Sequence, residues 1–393
     1  MERTTNISLI NLLNDQKTRS LILQTVTLIL VLLLVFFIIQ NITVNLASVG
    51  KEFSFSFLNY PAGYDITFQP FVDYSPTDTH MWAGLVGLLN TLLVAITGII
   101  LATILGFFLG ICRLSSNFLV NKLSYIFVEF TRNVPVLLHI VIVHSIIIHS
   151  LPVPKKALSI GDTIHLTNRG FFIPRPTFQD GFNYVIVALI VSIILAVIYR
   201  VWAKRVQERT GKIYPIFSAI GFIVVGITGI TFFTTGAPIG FEIPTLRGFN
   251  FRGGLAVRPE YIALWFALSY YTSAFIAEIV RGGILAVHKG QTEAAYAVGL
   301  TPKRTLQLVI IPQALRIIIP PLASQYLNLT KNSSLAIAIG YMDIMATLGG
   351  ISLMQTGKEM ETMIIVLLVY LLCSLFISLL MNIYNRSIRI KDR

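Results

Sequence analysis

Three stretches without a charged side chain, Ser20 to Gly50, Val134 to Pro154 and Met363 to Asn385, restrict this chain more than any other feature of it. Each reaches or exceeds the ~20 residues that a helix needs to cross ~30 Å of hydrocarbon. Only 12% of the 393 residues are charged, and 55% are hydrophobic. Soluble domains carry roughly 25% charged residues, so a water-soluble surface cannot be built from this composition. The chain reads as an all-α polytopic membrane protein.

Apolar length predicts about eight crossings, near Leu21–Gln40, Leu85–Ile111, Val136–Leu151, Val185–Trp202, Ile216–Phe233, Tyr261–Glu278, Arg316–Ile339 and Thr362–Ile383. The first is too long for the ~7–15-residue apolar core of a signal peptide, and Leu46-Ala47-Ser48 is a poor cleavage match, so it reads as a retained anchor. The seventh is expected to break at Pro320-Pro321 and carries Lys331 within it. An even number of crossings puts both termini on one side. The segments assigned to that side hold 20 of the 30 Lys and Arg residues, which predicts cytoplasmic termini. Two opposite-side segments, Asn41 to Gly84 and Pro152 to Tyr184, mix aromatics, Pro, Gly and Asp without periodicity, as irregular loops with some short strands do.

The net charge of +12 sits in short segments between apolar runs, as orientation signals do, and does not point to nucleic acid. Cys112 and Cys373 offer no disulfide framework or metal spacing and read as small apolar fillers. His139, His144 and His149 recur every five residues, turning about 140° per step around a helix, so they do not share a face as metal ligands would.

The segment between the sixth and seventh crossings carries the most information. Gln291 to Val298 is a run of mostly good helix formers, and Gly299 stands where the C′ residue ends a helix. Thr301 then caps a second helix with Pro302 at its first position. That helix presents Leu306, Val309 and Ile310 on one face and is expected to end before Pro312. The product is a helix–turn–helix whose first helix is kept thin by Ala294, Ala295 and Ala297. Taken alone, it also fits an amphipathic hairpin lying on the membrane surface.

Glu293-Ala294-Ala295, with Gly299 six residues after the Glu and Pro312 thirteen after that Gly, resembles the EAA loop of bacterial ABC importer permeases. Val309 and Ile311 replace the commonest Ile and Leu before the Pro. Thr131-Arg132-Asn133-Val134-Pro135, Tyr271 to Gly283 and Leu329 to Leu335 resemble the polar and hydrophobic amino-acid permease family in the same order. The resemblance covers roughly Leu85 to Tyr384. It implies an ABC type I importer permease fold over 85–384, with five core crossings and an insertion at about 152–260 that holds two extra helices. Before it would come an anchor helix and outer loop (1–84), and after it a basic cytoplasmic tail (385–393). This architecture resembles the long permease subunit of general L-amino-acid importers of the Aap/Bzt type.

The resemblance implies a multi-pass protein of the bacterial inner membrane that is no enzyme. Its expected partners are an ABC ATPase dimer, a second permease subunit, a periplasmic substrate-binding protein, an L-amino acid and membrane lipid. ATP would be bound by the partner subunit, because this chain has no Gly-rich phosphate loop, and it likewise lacks HExxH and GxSxG. Glu293, Ala294, Ala295, Gly299 and Pro312 would couple closure of the ATPase dimer to alternating access.

Ionisable residues within a membrane are functional candidates. Glu278, with Tyr271 and Phe275 on roughly the same face, suits an ammonium group, and Thr272 or Ser273 suits a carboxylate; the bland reading of Glu278 is an i,i+3 pair with Arg281. Lys331 has three readings: facing the translocation cavity, pairing with a carboxylate, or reaching an interface. Arg132-Asn133 marks either a gate or the inner boundary. The rival function is an ion-gradient-driven secondary transporter of small polar solutes. The EAA-like loop and the absence of clustered intramembrane carboxylates speak against it.

Overall fold

The computed structural model describes residues 16–48, 50 and 52–388, with only the backbone of 17, 46 and 386–388. Of the expected basic tail over 385–393, residues 389–393 lie outside the described residues. Among the described residues, seven helices are long and apolar enough to cross a membrane: α1 (Gln16–Ser48), α2 (His80–Cys112), α5 (Phe182–Thr210), α6 (Ile216–Thr234), α7 (Pro259–Leu285), the helical run α9 (Pro302–Ile339) and α10 (Glu359–Ile388). An eighth crossing is counted when α3 (Phe118–Asn133) and α4 (Val136–Ser150), which meet at 106°, are taken as one span. The bend has a local cause. Val134 precedes Pro135, and a residue in that position is driven to extended backbone, here φ −101° and ψ 134°.

The chain divides into two compact units, one of 1–89 and 344–372, the other of 90–343 and 373–393. In the first, most of the described side chains of α1 are exposed. The segment before α2 holds a short turn at Ser56–Asn59 and a bridge between Pro61 and Thr79. It is fixed by side chains: the Tyr64 hydroxyl lies 3.0 Å from Ser352 Oγ, and His80 Nδ1 lies 2.8 Å from the same oxygen. Ser352 belongs to a buried helical segment, Met345–Ser352, that continues as Leu353–Thr356. Hydropathy gave no sign of it, because it is too short to cross a membrane.

In the second unit, α7 is the central helix. Its buried residues, among them Leu264, Leu268, Thr272, Ile276 and Val280, occur all around it, as they do in a helix enclosed by others. It packs against α3, α4 and the Ile311–Asn332 part of α9. Glycines allow the closest approaches. A Cβ on Gly106 would meet Ile276 Cβ at 2.5 Å, one on Gly110 the Val280 Cβ at 2.7 Å, and one on Gly283 the Ile318 Cγ1 at 2.3 Å. Small residues serve this purpose where helices associate in lipid, since contact there comes from packing rather than from escape from water.

The insertion contains more structure than loops with some short strands. Four strands precede its helical hairpin, β1 (Leu158–Ile160), β2 (Ile164–Thr167), β3 (Gly170–Ile173) and β4 (Arg175–Phe178). Four follow it, β5 (Ile239–Glu242), β6 (Thr245–Arg247), β7 (Asn250–Arg252) and β8 (Leu255–Val257). They pair across the hairpin into one sheet of order β1-β2-β3-β8, the ribbon β4-β5 and the ribbon β6-β7. His165 stacks on Phe251 with centroids 4.2 Å apart, and Phe172 closes the same small core at 5.1 Å. From this module α5 and α6 extend as an antiparallel pair joined by Ser192 and Thr228.

Two expected breaks do not occur. The helix runs through Pro320-Pro321 without interruption, and helical backbone continues past Pro312. Just before Pro312 the ladder widens to an i→i+5 turn over Leu306–Ile310, with Ile311 N–H donating to the Leu306 carbonyl. That widening accommodates a ring with no N–H that would otherwise press on the carbonyl four residues back. Gly106→Ala is expected to destabilise the protein by about 1–3 kcal/mol, measured by thermal unfolding in detergent. Gly221→Ala in α6, where a Cβ meets nothing within 4 Å, leaves the midpoint unchanged.

Candidate functional site

The helix–turn–helix forms as the sequence predicts, with one difference. Helix α8 (Lys289–Ala297) begins at His288, whose side chain accepts from Gly290 N–H. It ends with Gly299 at φ +80°. Gly299 N–H donates to the Tyr296 carbonyl at 2.9 Å and Leu300 N–H to the Ala295 carbonyl at 3.1 Å. This pair of bonds defines the Schellman motif, and its left-handed residue favours glycine. Thr301 occupies the N-cap position of α9, but its side chain makes no capping bond; the backbone carbonyl alone receives Thr305 N–H at 2.8 Å.

Only one residue of α8, Ala295, is buried. Gln313 Nε2 donates to Gln291 Oε1 at 3.1 Å and ties α8 to the start of the long helix. Glu293, Ala294, Ala297 and Gly299 are exposed, as is Pro312, and Val298 is 77% exposed. The EAA-like residues thus present a narrow, mostly apolar ridge with open space around Gly299.

The second candidate group lies on α7. Thr272 and Ser273 are buried, and Ser273 Oγ donates to the Tyr270 carbonyl at 2.6 Å. Tyr271 is half-buried, its ring 5.2 Å from Phe275 and 5.6 Å from His139. Glu278 accepts from Arg281 at 2.5 Å, and on its other oxygen from Arg113 at the C-terminal end of α2. Both guanidinium groups are therefore spent on one carboxylate. Arg132 adds a stack over the Phe275 ring at 5.5 Å and an ion pair with Glu129 at 3.9 Å. Asn133 sits at the bend itself, donating to the Glu129 carbonyl at 2.8 Å. Lys331, on α9, is exposed and is not brought to this group.

The roles of two residues could not be read from the sequence. Arg113 registers there only as a boundary charge, because its carboxylate partner is 165 residues away. His139 is buried on α4, with Nδ1 2.6 Å from the Tyr270 hydroxyl and Nε2 3.3 Å from the Thr131 carbonyl, which joins α3, α4 and α7. His149 instead meets the Ser145 carbonyl one turn back, at 2.8 Å. The close contact of α2 with α7 had a legible signal, the Gly106-x-x-x-Gly110 spacing.

Residues 98–390 match the family described as the inner membrane component of binding-protein-dependent transport systems. The chain belongs to that family. Among relatives, it is 46% identical over 375 residues, 95% of each chain, to a protein of Escherichia coli named as a putative amino-acid ABC transporter permease, YhdX. It is 45% identical over 96% of its length to AapQ of Rhizobium johnstonii, named as a general L-amino acid transport system permease, covering 94% of that chain. It is 43% identical over 97% of its length to BztB of Rhodobacter capsulatus, covering 96% of that chain, whose name assigns it glutamate, glutamine, aspartate and asparagine transport. These permeases match nearly end to end, so the extra helices and β-module lie within the aligned length.

Arg113→Gln leaves Glu278 with one cation instead of two. A loss of about 1–3 kcal/mol of stability is expected, with partial recovery in the Arg113→Gln/Glu278→Gln double variant; a double-mutant cycle on thermal midpoints measures the coupling. Equal and additive losses would show that the pair is not coupled.

Proposed function

We propose that this chain is a membrane-spanning permease subunit of an ATP-driven amino-acid import complex, coupled to its motor through α8. The observation that carries the coupling is the exposed ridge of Ala294, Ala297, Val298 and Gly299 on a helix rooted in two membrane helices. The Schellman turn holds α8 and the start of α9 at a fixed angle, and three residues, 286–288, join α8 to α7. A push on α8 is therefore delivered to α7 and α9 together. Closure of a cytoplasmic ATPase dimer around the ridge, on ATP bound by that partner, would rock these helices between two access states.

The names of the relatives support an L-amino acid as cargo. The family's dependence on a binding protein supports a soluble, periplasmic donor of substrate, and a second permease subunit completes the pathway. Cytoplasmic termini follow from the excess of Lys and Arg on that side and place α8 on the same side as the motor. Of the residues proposed for the substrate pathway, Tyr271 and Lys331 retain accessible surface in the single chain. Thr272 and Ser273 act from within the packing around α7, and Glu278 acts through its two arginines.

Ala294→Trp and Val298→Glu alter exposed side chains without disturbing the turn. Each is expected to lower ATPase association at least tenfold and to abolish uptake, with membrane insertion unchanged. Copurification of the ATPase and uptake of a labelled amino acid into vesicles give the two readouts. Normal association in both variants would remove α8 from the interface.

A further inference from the structure

The β-module concentrates positive charge on the side of the membrane where the chain otherwise avoids it. Seven of the ten Lys and Arg residues not assigned to the inner segments lie in or beside it: Lys155, Lys156, Arg169, Arg175, Arg247, Arg252 and Arg258. Four of these, Lys155, Lys156, Arg169 and Arg247, are exposed at one end of the module around an exposed aromatic ring. Phe249, at the tip of the β6–β7 hairpin, is 74% exposed. Lys155 Nζ stands 4.7 Å from its ring centroid, and Arg169 Nη1 donates to its carbonyl at 3.0 Å.

That end is the one joined to the membrane helices. Lys155 follows Ser150, the last residue of α4, by five positions. Asn168 N–H donates to the Pro152 carbonyl at 2.9 Å, so the turn carrying Arg169 lies against the exit from α4. The next residue, Gly170, is so close to the Val257 carbonyl that a Cβ would meet it at 2.5 Å; one residue after Val257 comes Arg258, the N-cap of α7. Of the acids in and beside the module, Asp162 lies in the β1–β2 turn at the far end of β2 and Glu242 stands opposite Arg175 on the β4–β5 ribbon, while Asp180 and Glu260 stand at the starts of α5 and α7.

We infer that Lys155, Lys156, Arg169 and Arg247, with Phe249 between them, form a site for the headgroup of an anionic phospholipid. The charges complement a phosphate, and long basic side chains reach such a plane from the helix ends. An exposed Phe at that level enters the boundary between headgroups and acyl chains, as interfacial aromatic side chains do. A protein partner would approach the opposite end of the module, away from the bilayer. The assignment rests on the membrane crossings and not on the coupling role of α8.

Native mass spectrometry of the full chain, released from micelles containing equal phosphatidylglycerol and phosphatidylcholine, tests it. The wild-type chain is expected to retain phosphatidylglycerol preferentially. The variant Lys155→Gln/Lys156→Gln/Arg169→Gln/Arg247→Gln is expected to lose roughly tenfold or more of that preference. Phe249→Ser, a single surface change, should weaken retention of both lipids and serves if the fourfold variant does not fold. Arg175→Gln/Arg252→Gln, at the other end, should leave retention unaltered. An unchanged preference in the fourfold variant overturns the proposal, as does an equal loss in the distal pair. Displacement by inorganic phosphate as effectively as by phosphatidylglycerol would assign a free-anion site instead. Retained lipid preference with lost capture of a soluble acidic protein would assign a protein surface.

Discussion

The packing of α7 is the constraint from which the larger unit follows. In hydrocarbon there is no release of water to drive one apolar helix against another, so contact must come from close, complementary surfaces. Gly106 and Gly110 bring the C-terminal half of α2 onto Ile276 and Val280, and Gly283 admits Ile318 from α9. Polar bridges follow where these backbones approach. Thr103 Oγ1 lies 2.9 Å from the Tyr326 hydroxyl, and Thr97 Oγ1 lies 3.1 Å from that of Tyr261. Each threonine also donates to the carbonyl one turn back, Thr103 to Ile99 and Thr97 to Leu93, so these polar groups are satisfied within the apolar packing.

The same closeness matters at the C-terminal end of α7. Glu278 and Arg281 stand one turn apart and within about three turns of α8, and Arg113, the residue just after α2, reaches Glu278. With Arg132 stacked on Phe275, four charged side chains from α2, α3 and α7 meet next to the root of α8. Such a cluster resists independent movement of its helices, because parting them would leave a partly buried charge unpaired. A displacement of α8 is therefore shared by a packed group of helices and not absorbed by one.

The positions of the long helices were legible to a large extent, since each long crossing predicted from apolar length has its helix, with ends moved by two to eight residues in most cases. Charge shifts those ends: α5 continues through Arg200, Lys204 and Arg205 to Thr210, because a helix does not stop where hydrocarbon does. The EAA-like turn was readable to the residue, since Gly299 has a conformational requirement that local sequence expresses. Pro312 and Pro320-Pro321 misled because a proline's cost depends on whether neighbours or a widened turn can absorb it. Arg113 and His139 were invisible for another reason: their partners, Glu278 and Tyr270, are more than a hundred residues away, and nothing in single-sequence periodicity joins them.

The β-module shows how an all-helical membrane core can carry such an insertion. Its strands have three or four residues each, too short for alternation to show, and its pairing of β3 with β8 spans the whole α5–α6 hairpin. That pairing closes the insertion on itself. Residues 152–258 leave α4 and return to α7 at neighbouring points, as the Gly170–Val257 contact requires, so the fold demands no rearrangement of the helices it joins. The hairpin of α5 and α6 packs on itself, through Ser192 and Ala196 on α5. Its freedom relative to the core is then set by the module at its base. An element fixing that base to the bilayer surface would restrain two membrane helices at once, which gives a cluster of basic side chains at this level a mechanical consequence beyond lipid contact.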